Sequence, residues 1–380
     1  MMRMQPSVGA LTGLEAALAA LLDGVEPVAP TLLPLDQTLG KIGAAMPPLA
    51  HAQPIRDTAK TDGWACRALD LAGASAYSPL PLMAVPVWIE AGGAMPEGCD
   101  CVLDADLIDC SGPMPQALEE AAPGQGVRRA GEDMEAGRPL IIAGHRLSAA
   151  DLLTVRSVGI GEIAVRAPQA RLIDVAAPAS DTFTAHFIAD LARASGATVF
   201  DIETVTRDAR SVAQALGNAA GDLIILIGGT GAGRADATAD ALAARGALIA
   251  HNIALQPGRT AAIGRLDAVP IIALPGAPDQ AFAGFLALVQ PAIDRLTGRS
   301  ARRQTVLALE RKISSTVGLA EIVLLKQEQD RWRPLATGDF SLEAIRLADA
   351  WLAIPGGSEG CAAGTAVGAL VFDRSQMSQS

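Results

Sequence analysis

Three short glycine turns carry the residues of this sequence best suited to chemistry. The first is Gly228-Gly229-Thr230-Gly231-Ala232-Gly233, with Asp236 just beyond it; the second is Leu274-Pro275-Gly276-Ala277-Pro278; the third is Gln256-Pro257-Gly258-Arg259-Thr260. Glycine lets a backbone pass close to a ligand, so that its N–H groups face the oxygens of a phosphate or another oxyanion. Arg259 adds a guanidinium fork that pairs with such an anion. The first turn lacks the lysine of a Walker loop and fits the G-x-G-x-x-G spacing poorly. Taken alone, it reads equally as a tight strand-to-helix connection with no ligand, and Arg259 as a solvated surface side chain.

The elements that must hold these turns follow from hydrophobic periodicity. From Arg171 the rhythm becomes strand, helix, strand, helix. Leu172–Ala176 reads as a buried strand, and Phe183, Phe187, Ile188 and Leu191 mark one face of a helix closed by Gly196. Ala197–Phe200 reads as the next strand and Ser211–Leu216 as a helix. Asp222–Ile227 reads as a central parallel strand, Pro270–Leu274 as another, and a helix carrying Phe282, Phe285, Leu286, Val289 and Ile293 stops at Gly298. This pattern predicts an α/β, doubly wound, mostly parallel sheet, in which ligands sit outside the carboxyl ends of the strands. The first two turns directly follow two of those strands.

Around this domain the chain is multidomain. Leu11, Leu14, Leu18, Leu21, Leu22 and Val25 recur at helical spacing, so the apolar N-terminus, interrupted by Glu15, is an amphipathic helix rather than a signal peptide. Pro47, Pro48 and Pro54 lead away from it into short apolar runs, Leu82–Ile89 and Cys101–Leu107 among them, which read as a β-rich insertion. Pro139–Ile142 reads as a strand and Ser148 as the cap of a helix running to about Val158. The expected parts are residues 1–45 with 136–168 as one discontinuous domain, 46–135 as the insertion, 169–299 as the α/β domain, 300–374 as a C-terminal β domain, and 375–380 as a flexible tail. Candidate strands in the C-terminal part are Val306–Leu309, Ile322–Leu325, Ala350–Ile354 and Ala369–Phe372.

Composition narrows the function classes. Aromatic residues are 3% of the 380, so the core must be built mainly from Ala, Val, Leu and Ile. A net charge of -11 argues against a general nucleic-acid binder, so any anionic ligand must be met by a local pocket. No run is long enough to span a bilayer, which gives a cytoplasmic expectation. The cysteines, Cys66, Cys99, Cys101, Cys110 and Cys361, are odd in number and lack metal-site or disulfide-framework spacing, and so read as structural or incidental thiols. His51, His145, His186 and His251 are scattered, and none receives a role.

The ordered set of motifs resembles the molybdopterin molybdenumtransferase family (MoeA, gephyrin E-domain). Gly228–Asp236 is similar to GGVSVGxxD and Leu274–Pro278 to LPGNP. In the same order upstream, Thr61-Asp62-Gly63-Trp64-Ala65 resembles MDGYA, and Met95–Asp100 resembles the PEGAD turn. Arg128–Asp133 resembles RRxGED, and Ala143–Leu147 resembles PAGTRL. The resemblance implies a protein that binds adenylated molybdopterin and molybdate, releases AMP, and leaves molybdenum on the dithiolene sulfurs with Mg²⁺ assisting. It implies Asp208 and Asp236 as the metal-side acids and Asp62, Asp133 and Asp236 as catalytic acids. It implies Gly228, Gly229, Thr230, Gly231, Gln256, Pro257, Gly258, Arg259, Pro275 and Gly276 as the binding set. A homodimer is implied too, with Asp62 and Asp133 completing the partner's pocket; otherwise those two are turn-capping aspartates. A molybdopterin adenylyltransferase and molybdoenzyme clients are the implied protein partners.

The sequence also departs from that pattern. Where the family has TGDEL, Val175-Ala176-Ala177-Pro178-Ala179 lacks the acid. KPGKP has become Gln256–Thr260, and PGNPVS has become Pro275–Gln280, so lysine, asparagine and serine donors to molybdate are replaced only in part. Arginine still clamps an oxyanion. The chain is therefore expected to be a divergent member, with a non-catalytic carrier or scaffold for the pterin as the alternative reading. Nothing in it resembles the receptor-binding signature of the gephyrin branch.

Overall fold

Nearly unbroken aliphatic runs form the central strands of the sheet that bears the glycine turns. Leu223–Ile227 is buried at every position, as a parallel strand covered on both faces must be. The chain's structure, a computed structural model, describes residues 11–176, 182–217 and 220–372; the tail expected at 375–380 and the stretch 177–179 lie outside the described residues. The six-stranded sheet runs Ile202–Thr206, Ala170–Ala176, Leu223–Ile227, Val269–Leu274, Ala262–Leu266 and Leu248–His251. The first four strands are mutually parallel, and Ala262–Leu266 pairs antiparallel with both Val269–Leu274 and Leu248–His251. The chain leaves Ala170–Ala176 for one neighbour and then returns to its other side, so the switch point of the sheet falls between that strand and Leu223–Ile227. The register sets Asp174 opposite Ile227, and Ile227 opposite Leu274. These three residues form one row at the carboxyl edge, and the first two glycine turns begin immediately after it.

The structure shifts two expected strands. In place of Ala197–Phe200, the second strand is Ile202–Thr206, a half-exposed edge whose polar residues hide its periodicity; Thr198 makes an isolated bridge to Gln169. Pro139–Ile142 forms no strand, consistent with a proline that donates no backbone hydrogen bond and an Ile142 that is exposed. Between the first and second glycine turns the structure adds three strands that the sequence reading does not contain: Leu248–His251, Ile253–Gln256 and Ala262–Leu266. Ile253–Gln256 leaves the α/β sheet and pairs in parallel with Ala320–Glu328, joining a seven-stranded sheet otherwise built mostly from the C-terminal region. Strands from both regions thus share one layer.

Internal contacts divide the chain into Met1–Ala45, Ile141–Leu152 and Gly161–Ser380 as one unit, and Met46–Leu140 with Leu153–Ile160 as the other. The smaller unit packs Leu71, Leu82, Leu103 and Ile108 around Cys66 and Cys101, which face each other across paired strands. Burial pushes the Cys66 thiol up to about 12 and the Cys101 thiol up to about 11, so both stay protonated and unreactive at neutral pH. In the larger unit the Leu14–Leu22 helix turns Ala17 and Leu21 into the main core. No helix among the described residues is long and apolar enough to cross a membrane.

Although that core is aliphatic, four of the seven phenylalanines meet in it. Phe282, fully buried, has its ring centroid 5.4 Å from Phe187, 6.5 Å from Phe340 and 5.9 Å from Phe372. Phe282 therefore ties the helix after the second turn to the helix after the first strand and to the C-terminal segment. Truncation leaves a cavity that three rigid rings cannot fill, so Phe282→Ala is expected to cost about 3–5 kcal/mol in chemical denaturation.

Candidate functional site

Gly228 and Gly229 have φ values of +98° and +66°, which side-chain-bearing residues rarely adopt. A Cβ on Gly228 would stand 2.8 Å from the Val175 carbonyl oxygen, and one on Gly276 would stand 3.5 Å from the Gly228 Cα. The two turns therefore pass each other almost backbone to backbone. The Gly228 N–H donates to the Leu274 carbonyl at 2.9 Å, and the buried Thr238 hydroxyl donates to the Gly228 carbonyl at 2.9 Å. His251 Nε2 lies 3.0 Å from the Thr230 carbonyl, fixing the next residue from below.

Between the turns lies a cavity of about 360 Å³, within the range of small-molecule sites. Gly228, Gly229, Thr230, Gly231, Asp236, Pro275 and Gly276 all line it, as do Arg207, Thr260 and Gln280. Asp236 closes its own loop, its Oδ2 accepting from the Gly233 N–H at 3.1 Å. Its Oδ1 accepts from Arg207 Nη1 at 3.3 Å, while Arg207 Nε donates to the Val175 carbonyl at 3.4 Å. Arg207 thus bridges the end of the Ala170–Ala176 strand to the acid after the first turn.

Sequence reasoning missed Asp174. It sits among apolar residues of a strand and was passed over as part of a hydrophobic run, yet it lines the cavity and is 7% exposed. Its Oδ2 is buried without a hydrogen-bond partner. Burial pushes its carboxyl above the ordinary value of 3.8, opposed by the charges of Arg207 and His186. The available signal is an aspartate within the apolar run Leu172–Ala176, two residues before the strand's carboxyl end.

Two family models match the chain in succession: the MoeA N-terminal region (domains I and II) over residues 12–159, and a probable molybdopterin binding domain over 177–295. The molybdopterin biosynthesis MoeA protein from Pyrococcus horikosii superposes with a TM-score of 0.72 at 26% identity, covering 96% of this chain and 99% of its own. The chain belongs to the MoeA family. Molybdopterin molybdenumtransferase 2 of Mycobacterium tuberculosis is 27% identical over 308 residues, 71% of this chain and 76% of its own. The Haemophilus influenzae molybdopterin molybdenumtransferase is 28% identical over 231 residues, 56% of each.

Within this MoeA-family chain the remaining residues implied by the resemblance stand elsewhere. Gln256 donates through Nε2 to the Gly338 carbonyl at 2.9 Å, Pro257 and Gly258 are buried, and Arg259 is exposed; none of the four lines the cavity. Asp208 caps the Ala209–Ala215 helix. Its oxygens accept from the Thr206 hydroxyl at 2.6 Å, the Ser211 N–H at 2.9 Å and the Ser211 hydroxyl at 2.8 Å. Those bonds, the Thr206 hydroxyl first, hold its carboxyl down to about 2. Asp62 and Asp133 belong to the smaller unit, both exposed; Asp62 accepts from the Ala91 N–H at 2.7 Å, and Asp133 pairs with Arg128 at 3.3 Å. Among the described residues, no three His, Cys, Asp or Glu side chains converge as a metal cage.

The two aspartates have opposite pH signatures. Asp174 has a raised folded-state value, so its cost is absent below about 3.8 and grows as pH rises through the folded value. Asp174→Asn is accordingly expected to stabilise the ligand-free chain by roughly 1 kcal/mol at pH 7 and to lose that advantage below the ordinary carboxylate value. Asp208 is depressed, so its contribution is present above 3.8 and lost as pH falls through about 2. Asp208→Ala should lower the melting temperature at pH 7, with the difference closing toward pH 2. Melting curves across pH check both.

Proposed function

We propose that this MoeA-family chain works in cytoplasmic molybdenum cofactor biosynthesis as a molybdopterin molybdenumtransferase-type enzyme. It takes adenylated molybdopterin and molybdate, places molybdenum on the dithiolene and releases AMP. One observation carries the reading: the Gly228 and Gly276 turns meet at the carboxyl edge of adjacent parallel strands, around a cavity lined by Arg207 and Asp236. Their backbone N–H groups suit phosphate oxygens, and Arg207 supplies a cation against the same charge. The relatives from M. tuberculosis and H. influenzae, named molybdopterin molybdenumtransferases, support it.

Mg²⁺ fits this donor set. The orphaned buried oxygen of Asp174 is an acceptor that a cation would complete, and the Asp236 carboxylate, held by the Gly233 N–H and Arg207, lines the same cavity; Mg²⁺ characteristically takes one or two carboxylates together with substrate phosphates rather than a protein cage. Held by Asp174 and Asp236, it would supply positive charge against the phosphoanhydride. The chain's own residues hold and orient the substrate. We further propose a homodimer in which exposed Asp62 and Asp133 complete the pocket of the second copy. A molybdopterin adenylyltransferase would supply the substrate, and molybdoenzymes would receive the product.

The position of Gln256, tied to Gly338, and of Arg259, outside the cavity, favours a second reading: a carrier that holds the pterin without inserting the metal. Complementation of a strain lacking its molybdenumtransferase separates the two. Rescue by the wild type, lost with Asp236→Ala, is the expected result. Binding of adenylated molybdopterin without rescue would establish the carrier. Absence of titration heat with either adenylated molybdopterin or molybdate would end both readings.

A further inference from the structure

A phosphoanhydride is strongly anionic, yet the charged side chains lining the cavity are Asp174 and Asp236 against Arg207, two carboxylates and one guanidinium. The wall is formally negative where the ligand needs compensation, and a like-charged site repels unless a cation enters with the ligand. Arg207 is already committed to Asp236 at 3.3 Å and to the Val175 carbonyl. Asp174 is different. It is 7% exposed, and its Oδ2 has no hydrogen-bond partner.

Such an oxygen carries a desolvation penalty that the nearby charges of Arg207 and His186 offset only in part. The row Asp174–Ile227–Leu274 places it level with the starts of both glycine turns. It is held on a central strand rather than on a loop, which fixes it against the cavity. Asp236, though its oxygens are held by the Gly233 N–H and Arg207, lines the cavity; Asp208, whose oxygens cap a helix, does not.

We infer that Asp174, together with Asp236, is the carboxylate pair that receives the divalent cation accompanying the phosphoanhydride, and that Asp208 is a helix cap and not a ligand. This assignment rests on the cavity being the phosphate site proposed above. It explains why an acid stands at a core-facing position of a central strand: the position is poor for the empty protein and good for the loaded one.

Mn²⁺ replaces Mg²⁺ as a paramagnetic probe, and its binding to the full chain is read by loss of the free-ion electron paramagnetic resonance signal. Outer-shell changes typically weaken metal sites about 10–100-fold, so loss of a direct ligand should cost no less. Asp174→Asn and Asp236→Asn are expected to weaken Mn²⁺ at least about tenfold, and Asp208→Asn less than about twofold. The melting temperature of metal-free Asp174→Asn, at or above wild type, verifies that the variant is folded. AMP titrated calorimetrically without metal reads the glycine turns by themselves. If AMP binds but Asp174→Asn holds Mn²⁺ as well as wild type does, the Asp174 assignment fails and the phosphate site stands. If wild type binds neither Mn²⁺ nor AMP, both fail.

Discussion

The arrangement depends on a first turn too tight for side chains at Gly228 and Gly229, which brings it alongside the second turn. Asp174, Ile227 and Leu274 stand in one row across three adjacent strands, and the last two strands end there, so the turns following them leave the sheet at the same height. Gly228 can then donate to the Leu274 carbonyl while Gly276 passes beside it. A β-carbon at Gly228 would crowd the Val175 carbonyl and sit on a backbone that non-glycine residues seldom adopt, whereas one at Gly276 would be in ordinary contact with the Gly228 Cα. Thr238 and His251, which make hydrogen bonds to the same loop, hold it from the helix and from the strand beneath. The cavity is therefore a property of register and missing side chains, with few polar groups added.

Those few groups do not serve the empty chain well. Asp174 is an acceptor without a donor in an aliphatic strand, and its carboxyl is raised by burial despite the nearby Arg207. Sites of this kind are retained where a ligand supplies the missing partner. Around it the scaffold is conventional: buried aliphatic strands, a phenylalanine cluster centred on Phe282, and helices capped by Asp208 and Ser341.

Much of this was legible in the sequence, and the exceptions have identifiable causes. The Leu223–Ile227 and Val269–Leu274 strands announced themselves as unbroken aliphatic runs, and the glycines after them marked where the site lies. Ile202–Thr206 was missed because an edge strand is half polar. Ile253–Gln256 is hard to read because a four-residue run gives no hint that its partner is Ala320–Glu328, far along the chain. The third glycine turn resembles a binding motif, yet Gln256 spends its amide on Gly338, a contact between residues 82 positions apart that local spacing cannot reveal. Asp208 and Asp174 are hard to read for opposite reasons. An exposed acid beside an arginine attracts notice although its oxygens cap a helix, whereas an acid inside an apolar run does not although it lines a cavity.

The central claim is that the paired glycine turns form an anion cradle, and a crystal structure of the chain with AMP and Mn²⁺ bound tests it most directly. The account predicts the phosphate against the backbone N–H groups of Gly228–Gly231 and beside Gly276, with the metal on Asp236. A nucleotide ordered elsewhere on the chain, with side chains filling the space between the turns, would contradict it.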